Sequence, residues 1–347
     1  MVMLLRFLIY CFLWVPGLAP AQQTSSPTIM AAPAVASVQQ ISLPGIHPSA
    51  PQWSPDGQWL SFSGPKGNGI GLVKTDGTGL RWLTREPGSG FRHAWAPDST
   101  RIVCRARTVT TGPRRYAILT LSIPDGHVES RVEADRDALP PFWQHGPEGI
   151  RWISQSSSGP PAGPWLPCPA LPSPEEIRPP LLPWRNQQLG FPALGNDFQP
   201  LVPGRSQDPH WNAAGDRVVF DAADRIACWD GTSPQAAVLC PGQQPAFSPE
   251  GHWIAYQVTR DHTHAPEDPA AHTASTLPHL HDDRTNHQIT EADLWVIRPD
   301  GTGASQLTAT PDILEVEPAW SPDGRSLICR IEGAESLTIL RLKEVSP

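Results

Sequence analysis

Apolar positions recur along this chain in six copies of one pattern. A marker aromatic stands at Trp53, Trp95, Trp143, Trp211, Phe247 and Trp320, and a turn-forming cluster follows it directly. Seven residues after the marker come Leu60, Ile102, Ile150, Val218, Ile254 and Leu327. Nine residues after it come Phe62, Cys104, Trp152, Phe220, Tyr256 and Cys329. Two apolar columns separated by two residues predict a strand with one buried face. The marker then belongs to the preceding strand, and the cluster between them, Pro55-Asp56-Gly57 in the first copy, to a tight hairpin. Proline presets φ there, aspartate bonds its own backbone and glycine accepts positive φ.

A second turn signal follows in five units, at Asp76-Gly77, Asp125-Gly126, Leu194-Gly195, Asp230-Gly231 and Asp300-Gly301. Six residues beyond each glycine stands Leu83, Val132, Leu201, Ala237 or Leu307. Each unit therefore reads as four antiparallel strands, and sheets of that kind repeated radially are propeller blades. The last unit ends at Leu342 with three strands. Within Val38–Ser42, Ile41 precedes Trp53 by the same 12 residues that separate Leu83 from Trp95, so the N-terminal strand is expected to complete the last blade. The expectation is an all-β, six-bladed propeller over residues 38–347, closed by that strand, which would remove exposed sheet edges.

The Pro-x-Trp-Ser-Pro-Asp-Gly marker, with the later Asp-Gly-Thr-Gly-x-x-x-Leu-Thr of Asp76–Thr84 and Asp300–Thr308, resembles the WD-like repeat of TolB-type six-bladed propellers. Units one, five and six match well, two and four in part, and three only in its strand columns. The resemblance implies a scaffold of envelope assemblies. The TolB protein also has an α/β domain ahead of its propeller; only a short linker precedes the ring here, so roles of that domain do not carry over.

Composition narrows the rest. With 26 basic and 34 acidic residues the chain carries no nucleic-acid footprint. Residues 1–21 read as a signal peptide: Arg6, an apolar core from Phe7 to Leu18, then Ala19-Pro-Ala21. An uncleaved anchor would need about 20 apolar residues. Cleavage would leave 25 basic against 34 acidic residues and no transmembrane segment in the mature chain. Residues 22–37 read as a flexible linker, and the protein as a periplasmic or secreted monomer. Of its cysteines, Cys104 and Cys329 occupy a core column, while Cys228 and Cys240 flank one hairpin and could pair; Cys168 completes the mature set.

Two insertions break the spacing. Residues 154–203 are loaded with proline, which interrupts sheet pairing, and offer Trp165 and Trp184 as candidate aromatic anchors for a partner, the alternative being a poorly ordered loop. Residues 259–290 hold half of all twelve histidines; His262, His264, His279 and His281 with Asp282 form a set that could ligate a divalent metal, the alternative being a solvated loop. No nucleophile elbow, zinc-protease motif or phosphate loop occurs. Just before the inner strands stand Arg92, His93, Asp208, His210, Gln244 and Glu317, a mixed ring of charge at the channel mouth. These positions precede strands instead of packing between blades; the ring suits a ligand, ion or peptide, the alternative being that it only solvates the mouth. The sequence thus favours an exported, non-catalytic scaffold for an envelope protein or peptide. The alternatives are a hydrolase or lyase acting through His93, His210, Asp208 and Glu317, and a metal-binding protein using the histidine segment.

Overall fold

The computed structural model describes residues 31–343 apart from 109–114, 124, 137, 139, 147–148, 155–161, 167–183, 186–187, 193–197, 213–214 and 261–290. The signal segment, most of both insertions, Cys168 and the metal candidates His262, His264, His279, His281 and Asp282 lie outside the described residues.

The N-terminal strand is β1 (Val35–Ser42). Unit one supplies β2 (Ser49–Trp53), β3 (Trp59–Ser63), β4 (Ile70–Lys74) and β5 (Arg81–Thr84). Unit two supplies β6 (Ala94–Trp95), β7 (Arg101–Arg107), β8 (Tyr116–Ser122) and β9 (Val128–Ala134). Unit three has β10 (Phe142–Gly146), β11 (Gly149–Ile153), β12 (Trp184–Arg185), β13 (Gln188–Pro192) and β14 (Phe198–Pro200). Unit four has β15 (Ser206–Trp211), β16 (Val218–Ala222), β17 (Arg225–Trp229) and β18 (Ala237–Pro241). Unit five has β19 (Gln243–Phe247), β20 (Ile254–Arg260), β21 (Glu291–Ile297) and β22 (Ser305–Gln306). Unit six ends the ring with β23 (Glu315–Trp320), β24 (Ser326–Ile331) and β25 (Ser336–Leu342).

Units one, two, four and five each form a four-stranded antiparallel sheet, and β1 joins β25-β24-β23 to make a fifth. The repeat predicts six blades; among the described residues five four-stranded blades are present. Unit three is the exception, forming a two-stranded sheet β10-β11 and a separate three-stranded sheet β12-β13-β14. Its proline content is the physical reason, since proline withholds a ladder donor. The pieces still pack against their neighbours: Trp152 lies with Val103 and Ile118 of unit two, and Leu189 and Leu201 with Val218 and Phe220 of unit four.

Closure follows the expected route. Ile41 pairs with Leu337 and Val38 with Leu340, and the strand starts at Val35, three residues earlier than expected. Ile41 and Leu43 are buried with Leu60, Phe62, Ile328 and Ile339, so the N-terminal strand fills the seam between units six and one. The hairpins behave as read: Gly57, Gly251 and Gly324 have φ of 71°, 73° and 69°, and Ser54 Oγ reaches Asp56 in 2.5 Å.

One expectation is corrected by the packing. The second strand of each blade is buried on both faces. The two columns legible in the sequence face the preceding unit, as Ile102 and Cys104 do against Ile70 and Leu72. The residue between them faces the following unit, as Val219 does against Phe247 and Ile254. Cys228 and Cys240 both carry free thiols, as do Cys104 and Cys329, so the pairing suggested for that hairpin is not formed. Cys228 stands opposite Ala237, and Cys240 opposite Ile226.

Candidate functional site: the channel mouth

Alternating strand direction brings the start of each first strand to the end where second strands finish and third strands begin, as the pairings Ser49–Ser63–Ile70–Thr84 show. Both insertions leave from this same end. One follows Ile153 at the close of β11, and the other runs from Arg260 of β20 to Glu291 of β21.

At this end the chain is strained in a repeating way. Three residues before the marker aromatic stand Ala50, Arg92, Asp208, Gln244 and Glu317, with φ of 47°, 56°, 48°, 52° and 58°. Left-handed backbone is unfavourable for residues with a Cβ, and such residues concentrate at functional sites. In units one, four, five and six the same step is a register shift in the first strand, between Ser49 and Gln52, Gln207 and His210, Gln243 and Ala246, and Val316 and Ala319. These are bulges, which re-aim backbone and side chain. Unit three carries Pro140 at this position, and the proline ring holds φ negative.

Three of the strained residues have their amide groups bonded across blade seams. The Ala50 N–H donates to Glu317 Oε2 at 2.6 Å. The Glu317 N–H donates to Gln244 Oε1 at 2.9 Å and Gln257 Oε1 at 3.0 Å. The Gln244 N–H donates to Asp221 Oδ1 at 2.8 Å. Glu317 Oε2 also accepts from Arg330 Nε at 2.8 Å. Gln244 and Glu317 therefore stitch units four, five, six and one together. The expectation that they precede strands without packing between blades is corrected: bulging turns their amides and side chains sideways into the seams.

Arg92 and Asp208 differ. The Arg92 guanidinium meets the Asp208 carboxylate, joining unit two to unit four across the incomplete third unit. Beside Arg92, Phe91 is exposed, and the Arg105 guanidinium lies 5.8 Å from its ring centroid and 4.4 Å from that of Tyr116. Arg105 Nη1 donates to Ala138 O.

The two histidines of the ring each bond a neighbouring unit. His93 is buried, its Nε2 2.8 Å from Ser61 Oγ, which also accepts from Trp95 Nε1 at 2.7 Å. Burial pushes His93 down to about 4, against a weak bond toward Gly90 O, so the ring is neutral. His210 Nδ1 accepts the Phe247 N–H at 3.2 Å, which leaves its proton on Nε2. His93, His210, Asp208 and Glu317 thus each have separate partners, and the serine–histidine contact of Ser61 with His93 is fully buried and also engaged by Trp95, out of reach of a substrate.

Two groups escaped the sequence reading. Asp221, in the middle of β16, is buried; burial pushes its carboxyl up to about 7, while the Gln244 N–H and Arg92 pull it down and Asp224 pushes it further up. Its signal was an acid inside the apolar strand Val218–Ala222. At the root of the histidine segment, Arg260 reaches Glu291 at 3.3 Å and Asp293 at 3.6 Å, and Gln306 Nε2 donates to Asp293 at 2.8 Å. Glu315 is buried nearby; burial is the main cause that raises both Asp293 and Glu315. Among the described residues no group of three or more His, Cys, Asp or Glu side chains is placed to hold a metal ion. At the opposite end, Arg217, His252, Trp253, Arg298 and Asp300 line an open cleft of about 260 Å³.

No protein-family model matches the chain, and no curated protein is similar to it at a significant level. Solved structures agree on the fold. The WD40 repeats of RRP9 match with a TM-score of 0.54 at 11% identity, covering 90% of this chain and all of that one. The β-propeller domain of Cps50 (Swd1) from Myceliophteria thermophila gives 0.53 at 11% identity, with 90% and 100% covered. TolB from Acinetobacter baumannii gives 0.48 at 15% identity, covering 80% of this chain. The chain spans 57% of the length of that TolB. The chain is a β-propeller of four-stranded antiparallel blades with WD40 and TolB propellers among its neighbours in structure. Among the described residues no helix is long and apolar enough to cross a membrane.

Proposed function

We propose that this protein is an exported, non-catalytic propeller that binds a protein or peptide partner in the cell envelope, acting as a monomer in the periplasm or outside the cell. Export rests on residues 1–21, and the envelope role on the TolB-like repeat of units one, five and six. The observation that carries the binding reading is the mouth itself. Strained, polar residues of units two and four meet there as Arg92 and Asp208, beside an exposed Phe91, and both insertions leave the ring at that end. Rigid blades that hold variable loops at one end form a recognition surface. Burial of the Ser61–His93 contact and the separate partners of His210 and Glu317 favour binding over catalysis.

A photo-crosslinking residue at position 91, with position 252 at the opposite end as control, tests this in envelope extract. A discrete adduct from 91 and none from 252 is expected. Equal labelling from both positions, or labelling from 252 alone, removes the mouth from consideration. A 91 adduct that vanishes when residues 154–203 are deleted assigns the docking surface to the proline-rich insertion as well.

A further inference from the structure

Among the described residues, Arg92–Asp208 is the ion pair that joins units not adjacent in the ring. Arg330 pairs with Glu317 and Glu332 inside unit six, and Arg260 with Glu291 and Asp293 inside unit five. The side chains of Arg92 and Asp208 are 38% and 42% exposed, so water and a ligand can reach the pair. A contact that exposed adds little to stability and opens at small cost.

The charge around it is divided. On the unit-two side stand Arg92 and Arg105 with the exposed ring of Phe91. On the unit-four side stand Asp208, Asp221 and Asp224, the last held by Gln243 Nε2 at 2.6 Å. A ligand with one charge would part the pair and leave the guanidinium or the carboxylate without its partner, in the case of Arg92 a group that burial already pushes down. A ligand with both charges exchanges one pair for two and strands neither.

We infer that the mouth takes an extended peptide segment bearing a cationic side chain and a carboxylate two residues apart, the carboxylate meeting Arg92 beside Phe91 and the cation meeting Asp208. Residues i and i+2 of an extended chain project to one face, about 6.6 Å apart, room enough for each charge to face its own partner. This rests on the mouth reading above, and it adds the chemistry of the partner.

The test uses blocked pentapeptides titrated calorimetrically into the whole protein: Gly-Arg-Gly-Glu-Gly, the same with Gln for Glu, with Gln for Arg, and with both replaced. Free arginine is a further arm. The doubly charged peptide is expected to bind about tenfold or more tightly than either singly charged one. In Arg92→Gln its affinity should fall to that of the peptide lacking Glu, and in Asp208→Asn to that of the peptide lacking Arg. Equal binding of single- and double-charge peptides, no measurable binding of any, parity with free arginine, or indifference to both variants overturns the inference. The wild-type comparison stands even if a variant fails to fold. A persistent crosslink from position 91 with silent peptides overturns the exchange alone; loss of that crosslink removes the mouth reading with it.

Discussion

The closing strand offers the clearest test of the architecture. Ile41 is 2% exposed, packed among Leu60, Phe62, Val73, Ile328, Leu337 and Ile339, and it pairs across to Leu337. Truncating it to alanine removes buried methyl groups and opens a gap between units six and one. Such changes cost roughly 2–5 kcal/mol, the range reflecting how far the neighbours collapse. A ring of roughly 300 residues unfolds with an entropy near 0.6 kcal/mol per kelvin, so the melting midpoint should drop by about 3–8 °C. Val38, on the other face of the same strand, is 59% exposed. Val38→Ala should stay within roughly 0.5 kcal/mol, or about 1 °C. Calorimetric melting of both variants against the parent chain decides the matter. Equal shifts would mean that β1 does not fill the seam, and the closure argument would fail.

Two more outcomes follow from the seams. Glu317→Ala removes the acceptor of the Ala50 N–H and of Arg330 Nε, and each orphaned partly buried donor costs about 1–3 kcal/mol; Glu317→Gln keeps an acceptor and should recover much of the loss in urea unfolding, whereas a neutral alanine variant would show the stitch to be idle. Asp221 is raised in the folded state to about 7 from 3.8. Folding therefore favours its protonated form, a contribution present in full below the unfolded value and lost as pH rises through the folded one. Asp221→Asn should flatten that loss, gaining on the parent by a few degrees in melting midpoint between pH 4 and pH 8. Parallel pH profiles for the two proteins would refute the assignment.

Much of the ring was legible because its columns repeat. Leu60 and Phe62, and their equivalents in the other units, are apolar in every copy, and the Asp-Gly turns mark the outer strands. The opposite face of that strand was missed because its column, Ser61, Val103, Arg151, Val219, Ala255 and Ile328, mixes polar and apolar side chains. Ser61 is buried all the same, its hydroxyl held between His93 and Trp95, so burial there depends on a cross-seam partner that no single strand displays. Unit three kept the columns but shows no four-stranded blade among the described residues. Its spacing predicts strands, but its prolines decide which of them can pair, and the result is two small sheets. At the mouth, position along the chain was readable and direction was not. Gln244 and Glu317 stand where expected, yet a bulge of one residue turns them into the seams.

The strained column separates the two kinds of mouth residue. Ala50, Arg92, Asp208, Gln244 and Glu317 share no chemistry, and none is glycine, the residue that would adopt positive φ without strain. A conformation kept across five units despite its cost has to be offset by something local. For Ala50, Gln244 and Glu317 the offset is an amide bonded to the neighbouring unit. Arg92 and Asp208 share the backbone, but what stands out at their side chains is each other, over the unit that shows no four-stranded sheet among the described residues. Cross-seam bonds offset the strain of the first group. The second shares that backbone and, among the described residues, an exposed ion pair of small worth, which is the feature on which the proposed binding at the mouth rests.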